Sequence, residues 1–284
     1  MHVWSSYFWG DYEMAFLSVF LIVAIPAGIY YLLVKYPFYT KMTIFFSGCA
    51  LICTLALPFL FFRPRDYRNA MIPAAFARAV ARMLNITMEI RGLENVRTDR
   101  GGIVLLNHQS SLDLLVTAYL WPVIGCATVV SKIEVFYIPI FGLASYLWGT
   151  LYINRKNSAG SVKALNKESK AINERNAKLL IFPEGSRSQS EKLLPFKKGA
   201  FHIALDSKCP VQPVVVSKYY FLDSKTKRFD KGHAIIHILP EISTETYSKD
   251  TMNALMDDCR NVMQDEYTRL SREVIELQKC GKFE

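Results

Sequence analysis

Two long apolar runs near the start of the chain constrain its architecture more than any other feature. Met14 to Val34 form 21 residues without a charge, and Met42 to Phe62 form a second run of 21. At about 1.5 Å per helical residue, each run is long enough to cross a hydrocarbon core of roughly 30 Å. A cleaved signal peptide is disfavoured, because no basic segment precedes the first run and a second run follows. The pattern predicts a membrane hairpin over residues 1–62, with helices at about 14–34 and 42–62, and a further domain over residues 63–284.

Charge is unevenly distributed along the chain. Residues 1–62 hold two basic and two acidic side chains, so the net charge of +9 belongs to the segment that follows. Five arginines and one aspartate come directly after the second run, and the positive-inside rule therefore predicts that the domain faces the cytosol. Two lysines between the runs favour the opposite orientation, and Pro26 and Pro58 leave open a hairpin that enters one leaflet only. A basic domain beside a membrane favours anionic lipids or a phosphorylated substrate over nucleic acid, for which no motif is seen.

The cysteines and histidines indicate neither a metal site nor a disulfide framework. The six cysteines are scattered without a CxxC pair, which is typical of a protein in a reducing compartment. The five histidines do not cluster at the spacing of metal ligands. We therefore expect no metal and no prosthetic group.

Beyond the hairpin, short β-branched runs alternate with helical patterns. Strands are predicted at 86–90, 102–106, 127–130, 150–153, 178–182, 211–216 and 234–239. Helices are predicted at 63–84, 111–120, 158–176, 199–207 and 249–277. This alternation predicts an α/β fold, with a largely buried sheet flanked by helices. The nearly uncharged stretch 135–153 is broken by proline and glycine, which favours a buried or membrane-facing part of the domain over a re-entrant element.

The segment NHQSSLD, residues 107–113, contains the residue types of a general base and its orienting carboxylate. It follows the predicted strand at 102–106 and contains His108 and, five residues later, Asp113. Histidine is the side chain whose ordinary pKa lies nearest neutral, so it can take a proton from a hydroxyl. A carboxylate on its second ring nitrogen would fix its tautomer. No Ser or Cys in a nucleophile elbow accompanies the pair, so we expect the hydroxyl to belong to a substrate.

Further segments bring charged side chains to the ends of predicted strands. GTLYINR ends in Arg155, FPEGSR contains Glu184 to Arg187, and Lys197 and Lys198 precede a predicted helix. Open α/β sheets bind ligands beyond the carboxyl ends of their strands. Two guanidinium groups at such an edge can hold a phosphate through paired charge-assisted hydrogen bonds, so a phosphate site is predicted there.

In order and spacing, these segments resemble the motifs of the glycerolipid acyltransferases. NHQSSLD resembles their NHxxxxD box, GTLYINR is similar to GxxFIxR, FPEGSR to FPEGTR, and Val211–Val215 to the Pro-centred fourth box. The resemblance covers residues 63–275 and points to the eukaryotic 1-acylglycerol-3-phosphate (lysophosphatidate) acyltransferases. The chain departs from the pattern at Tyr152, Ser186 and Asn154. The first two are conservative changes, and the third removes a common acidic residue beside Arg155.

This resemblance implies a glycerolipid acyltransferase fold and a direct acyl transfer. His108, oriented by Asp113, would deprotonate the sn-2 hydroxyl of lysophosphatidate, whose oxygen would attack acyl-CoA to give phosphatidate and CoA. Backbone N–H groups near the box are expected to stabilise the oxyanion. The acceptor-binding residues implied by the resemblance are Arg155, Glu184, Gly185, Ser186 and Arg187, supported by Asn107, Lys132, Lys197 and Lys198. Because a carboxylate repels phosphate, the residues themselves favour Glu184 as a partner of Arg187 or of a glycerol hydroxyl.

The resemblance also implies partners and a location. The partners are acyl-CoA as co-substrate, lysophosphatidate and membrane lipids, and the location is the endoplasmic reticulum, in phospholipid and triacylglycerol biosynthesis. Acylation of glycerol-3-phosphate or of another lysophospholipid stays open, because the same boxes serve those reactions. A non-catalytic lipid-binding protein is the alternative from another class. A serine hydrolase is disfavoured, because Gly185-Ser186-Arg187-Ser188 is not G-x-S-x-G.

Overall fold

The computed structural model describes residues 18–154, 172 and 174–280. Its helices are α1 (Ile25–Lys35), α2 (Pro37–Leu60), α3 (Met71–Met83), α4 (Asp113–Ile124), α5 (Phe141–Leu147), α6 (Gly199–Ser207) and α7 (Met252–Lys279). Its strands are β1 (Ile86–Arg91), β2 (Gly102–Leu106), β3 (Ala127–Lys132), β4 (Leu151–Ile153), β5 (Lys178–Ile181), β6 (Val211–Val216), β7 (Leu222–Asp223), β8 (Arg228–Phe229) and β9 (Gly232–Ile238). The predicted helix 158–176 lies outside the described residues except for 172 and 174–176.

Seven strands form one mixed sheet in the order β1-β9-β6-β2-β5-β3-β4. The five strands from β6 to β4 are parallel to one another, while β9 runs antiparallel to β6 and pairs in parallel with β1. The carboxyl ends of the five parallel strands therefore meet at one edge of the sheet. All seven predicted strands are confirmed within two residues at either end, and the short β7–β8 hairpin was not predicted.

The sheet is covered by helices on both faces. Along β2 the side chains alternate, so that Val104 and Leu106 pack against one helical layer and Ile103 and Leu105 against the other. The first layer contains α2, α3, α4 and α5, and the second contains α6 and α7. Because β2 is buried on both faces, its sequence is a continuous apolar run rather than an alternating one. The predicted α/β class is confirmed.

The second apolar run forms a longer helix than predicted, and the link before it is shorter. Helix α2 spans 24 residues and, within the described part of the chain, is the one helix that is long and apolar enough to cross a membrane. Only Tyr36 separates it from α1, so the predicted seven-residue link is wrong. Pro37 explains the difference, because its fixed φ and missing N–H suit the first turn of a helix. Of the first run, residues 14–17 lie outside the described residues, and a π-helical turn at Phe20–Ala24 precedes α1.

Along one face, helix α2 is part of the core of the α/β domain. That face is buried and consists of Phe45, Cys49, Cys53, Ala56 and Leu60. The other side exposes large apolar side chains: Phe46, Leu51, Leu55 and Phe59. The domain boundary at residue 62 stays a prediction, and packing is continuous across it.

The uncharged stretch after β3 folds into a loop and the short helix α5. Ala144 and Leu147 are buried against the core, whereas Tyr137, Ile138 and Tyr146 are exposed. Helix α5 packs beside α2. The stretch therefore places an apolar outer surface next to the exposed face of α2.

Candidate active site

The turn between β2 and α4 brings His108 and Asp113 together. Asp113 is the first residue of α4, where the helix dipole favours a negative charge. Its Oδ2 lies 2.6 Å from Nδ1 of His108. Because an ionised carboxylate only accepts hydrogen bonds, Nδ1 carries the proton and the lone pair of Nε2 is left to act as a base. Asp113 is buried, while the His108 side chain is 21% exposed, so a substrate can reach the ring.

Backbone N–H groups of the same turn also point at the Asp113 carboxylate. Its Oδ2 accepts from Gln109 N at 2.7 Å and from Ser110 N at 3.0 Å. The N–H of His108 is likewise used, by Glu184. These three N–H groups are therefore not available to an oxyanion, and the expectation that backbone donors near the box stabilise it stays a prediction for the other N–H groups.

Two amide side chains fasten the turn to the neighbouring strand β6. Asn107 Nδ2 donates to Val216 O at 3.0 Å, and Val216 N donates to Asn107 Oδ1 at 2.8 Å. Gln109 Nε2 donates to Ser217 O at 3.0 Å. Asn107, predicted as a supporting residue, thus supports the strand end, and Gln109 has a role that the sequence motif did not assign to it.

Glu184 braces the His108 turn from the opposite side. Its Oε1 accepts from His108 N at 2.8 Å and its Oε2 from Leu194 N at 2.9 Å, while Ser188 N donates to His108 O at 2.9 Å. Both carboxylate oxygens are therefore occupied, and no hydrogen bond joins Glu184 to Arg187 among the described residues. Burial raises the pKa of the Glu184 carboxyl, and the two N–H donors act in the opposite direction. The geometry thus favours a structural brace over the predicted contact with the acceptor or with Arg187.

The remaining predicted residues lie around the same edge of the sheet. Gly185 adopts a φ of +66°, and an added Cβ would lie 2.7 Å from Cε and Nζ of Lys197, so a side chain here would be strained. Five exposed polar residues line or flank this edge: Lys132, Ser186, Arg187, Lys197 and Lys198. Arg155 lies outside the described residues, so its predicted phosphate contact stays a prediction.

A cavity of about 520 Å³ opens beside the His108 ring. His108, Asp113 and Arg187 contribute polar groups to its lining. Its other walls are mostly apolar and come from α2, α3, α4 and α5, through residues such as Cys53, Ala74, Leu114, Phe141 and Trp148. The arrangement places a base and a cation next to an apolar chamber, which suits a substrate with a charged head and a long alkyl chain. The participation of α2 could not be read from the motifs.

Tyr152, one of the departures from the family pattern, has a structural explanation. Its hydroxyl hydrogen-bonds to Ser145 Oγ and donates to Gly142 O at 3.2 Å, which ties β4 to α5. A phenylalanine would lack both bonds. The change therefore strengthens one wall of the cavity and leaves the His108 turn untouched.

No metal site is found in the part of the chain that the structure describes. No three His, Cys, Asp or Glu side chains come together there in a way that could hold an ion. His233 and His237 lie on β9, where they contact Thr87 and Glu266 at 2.8 and 2.5 Å. They are remote from the cavity lining and serve the packing of the sheet edge.

A family model described as Acyltransferase matches residues 87–217. The chain is 30% identical over 235 residues to human 1-acyl-sn-glycerol-3-phosphate acyltransferase alpha, covering 82% of each. It is 32% identical over 273 residues to the putative 1-acyl-sn-glycerol-3-phosphate acyltransferase acl-1 of Caenorhabditis elegans, covering 93% of this chain and 99% of that one. The crystal structure of the 1-acyl-sn-glycerophosphate (LPA) acyltransferase PlsC from Thermotoga maritima superposes with a TM-score of 0.64 at 23% identity, over 86% of this chain and 97% of that one.

These similarities agree with the geometry of the site. The likeness to PlsC concerns the fold and confirms the expected sheet flanked by helices. The matched region contains the His108 turn, the brace from Glu184 and the strand end at Val216. The chain belongs to the acyltransferase family of the 1-acyl-sn-glycerol-3-phosphate acyltransferases.

Proposed function

We propose that this enzyme transfers an acyl group from acyl-CoA to the sn-2 hydroxyl of 1-acylglycerol-3-phosphate, giving phosphatidate and CoA. The observation that carries the proposal is the 2.6 Å His108–Asp113 pair beside an apolar cavity that Arg187 also lines. The relatives are named for this acceptor, which supports it further. The products would enter phospholipid and triacylglycerol synthesis.

The chemical step follows from the tautomer of His108. Its Nε2 takes the proton of the acceptor hydroxyl, and the oxygen forms a bond to the thioester carbonyl carbon. The carbon–sulfur bond then breaks, and the CoA thiolate leaves with the proton that His108 returns. Asp113 stabilises the imidazolium in between. The transfer is direct, without a covalent acyl-enzyme, because no serine or cysteine among the described residues is hydrogen-bonded to the ring of His108.

The acceptor phosphate is proposed to bind at the basic edge of the sheet. Arg187 is exposed there and lines the cavity, with Lys197 lying against Gly185 next to it. A guanidinium can bind phosphate in a bidentate manner, whereas a lysine provides a point charge. Arg155 is proposed to join them on the strength of the family motif alone.

Acyl transfer by the purified full chain in detergent micelles tests the proposal. We expect labelled oleoyl-CoA and lysophosphatidate to give phosphatidate, and His108→Ala to lower kcat on the order of 10²–10⁴-fold. His202→Ala, which changes an exposed histidine on α6, is the matched control and should leave kcat unchanged. Equal rates for wild type and His108→Ala would overturn the mechanism.

The same assay separates the alternatives. Glycerol-3-phosphate and other lysophospholipids are offered as acceptors beside lysophosphatidate. Transfer only to one of those would replace the acceptor in the proposal while retaining His108 as the base. No transfer to any acceptor, together with lipid binding, would favour the non-catalytic alternative.

We also propose that the chain is held at a membrane through α2 and the exposed apolar surface beside it. The supporting features are the outward side chains of α2, the exposed Tyr137 and Tyr146, and the guanidinium of Arg65, 5.0 Å from the Tyr146 ring centroid. Tyrosine and arginine favour the boundary between lipid and water. Retention by anionic vesicles after a high-salt wash is expected, and release by salt alone would contradict insertion.

The orientation is proposed to be cytosolic at the endoplasmic reticulum, on the strength of the arginines after α2. Protease protection in microsomes tests it, because a cytosolic domain is digested without detergent. Asn85-Ile86-Thr87 provides a second readout, since Asn85 is exposed. A glycan on Asn85 would place the domain in the lumen instead.

A further inference from the structure

Two buried oxygen atoms beside the His108–Asp113 pair lack a hydrogen-bond partner among the described residues. They are Oδ1 of Asp113 and the hydroxyl oxygen of Tyr219, and each residue is only 3% exposed. Buried polar atoms are almost always paired, because an unpaired one has lost its water without compensation. An unpaired acceptor and an unpaired donor in the same place are therefore expected to bond to each other.

The position of Tyr219 is set by the same side chain that fastens the His108 turn. Gln109 Oε1 accepts from Tyr219 N at 3.1 Å, while its Nε2 donates to Ser217 O at 3.0 Å. The Tyr219 ring is further confined by Phe221, with ring centroids 5.5 Å apart. The main chain that carries Tyr219 is thus held in register with the turn that carries Asp113.

The hydroxyl of Tyr219 is a donor at every working pH. Burial raises its pKa well above the ordinary value, and the nearby charge of Asp113 raises the pKa further. The other titratable groups around this pair are His108, Glu184, Glu191 and Tyr267. Tyr267 has a partner of its own, because its hydroxyl donates to Ser190 O at 3.1 Å.

Three donors of the turn reach the Asp113 carboxylate, and all three use Oδ2: His108 Nδ1, Gln109 N and Ser110 N. We propose that Tyr219 is a positioning residue whose hydroxyl donates to the remaining oxygen, Oδ1, and so fixes the plane of the carboxylate that orients His108. Tyr219 does not touch the substrate. It acts through Asp113. The inference rests on the proposed function in one respect, which is that His108 is the base.

Titration of His108 by NMR, with ¹⁵N-labelled histidine in the full chain, tests this directly. In Tyr219→Phe the Asp113 charge is no longer shared with a hydroxyl, so it attracts the imidazole proton more strongly. We expect the midpoint of the His108 titration to move up by about half a pH unit, roughly threefold in proton affinity. We also expect kcat to fall about tenfold with KM for the acceptor unchanged, as for one lost hydrogen bond to a charged group.

Tyr267→Phe is the matched control, since it removes a buried hydroxyl that bonds elsewhere, and it should leave the His108 midpoint unchanged. In an Asp113→Asn background, Tyr219→Phe should add no further shift. An unmoved midpoint in Tyr219→Phe, or the same shift with and without Asp113, would reduce Tyr219 to a packing residue. The titration needs no substrate, so its failure is distinguishable from failure of the proposed function.

A second measurement covers the case in which Tyr219→Phe does not fold. Biosynthetic 3-fluorotyrosine makes every tyrosine phenol of the chain more acidic, and it thereby makes Tyr219 a stronger donor without removing its hydroxyl. The His108 midpoint should then move down. A midpoint equal to that of the unlabelled chain would contradict the proposal.

Discussion

Glu184 and Asp113 are both buried carboxylates next to one histidine, yet their environments give them different tasks. Asp113 directs its charge to the ring of His108, whereas Glu184 binds the backbone on either side of the site. A motif shows that an acidic residue is present but not which atoms it contacts. Glu184 acts as a brace because the loop at 184–194 lies against the His108 turn.

Glu184→Gln tests that role. Glutamine keeps one acceptor oxygen but turns an NH₂ group toward a backbone N–H, so one buried donor loses its partner. We expect the free energy of unfolding to fall by about 1–3 kcal/mol and kcat to fall, with KM for the acceptor little changed. Denaturant titration and steady-state kinetics measure the two effects. Glu191→Gln, on an exposed residue of the same loop, is the control, and a change confined to KM would instead make Glu184 an acceptor contact.

At the scale of elements, helix α5 depends on a glycine that allows close approach. An added Cβ at Gly142 would lie 1.8 Å from the carbonyl oxygen of Phe136. The loop and the helix therefore pack backbone to backbone, and the glycine that a sequence pattern marks as a helix breaker lies within the helix.

Gly142→Ala is expected to push α5 away from the loop that precedes it. Overpacking of this kind costs about 1–3 kcal/mol of stability. The displaced helix also forms a cavity wall, so activity should fall as well. Thermal unfolding compares the stability of Gly142→Ala with that of the control Gly199→Ala. Nothing lies within 4 Å of a Cβ added at Gly199, so no destabilisation is expected there. Equal stability of the two variants would show that the contact is relaxed at no cost.

The edge formed by β1 and β9 holds a histidine whose neutral form is favoured. Burial lowers the pKa of His233, and Glu89 raises it by less. The unfolded chain then binds more protons than the folded one between the lowered value and the ordinary value of about 6.5. Stability from this group is therefore fully present above that ordinary value and is lost progressively as the pH falls from it through the lowered value.

His233→Gln removes this titration. Between pH 7.5 and pH 5.5 we expect the free energy of unfolding to fall less in the variant than in the wild type. Denaturant titrations at the two pH values measure the difference. His202→Gln, on an exposed histidine, should keep the wild-type pH dependence, and equal losses for all three proteins would contradict the role of His233.

At the scale of the whole molecule, the apolar helix α2 and the α/β domain form one cavity. Its lining includes Cys53 from α2 and Ala74 from α3, together with His108. A chamber shared in this way has room for an alkyl chain beside the base, as the proposed function requires. The volume of the cavity therefore depends on how the helices pack and not on the sequence motifs.

Ala74→Phe is expected to fill part of that chamber. A larger side chain there should lower kcat/KM for long acyl chains relative to short ones by roughly tenfold, the lower end of the range for one methylene in an apolar pocket. Competition between decanoyl- and oleoyl-CoA measures the ratio. Ala75→Phe, on an exposed position of the same helix, is the control. An unchanged ratio in Ala74→Phe would show that the acyl chain lies elsewhere.

The sequence by itself determined the strands, the α/β class and the His108–Asp113 pair, because these depend on local pattern and on residues five positions apart. It did not determine the brace from Glu184, the cavity or the position of Tyr219. Those depend on segments as much as 110 residues apart, such as Gln109 and Tyr219, whose contact is created by neighbouring strands. Tertiary structure decided them, because side-chain partners across a sheet follow from strand order and register, which no local pattern contains.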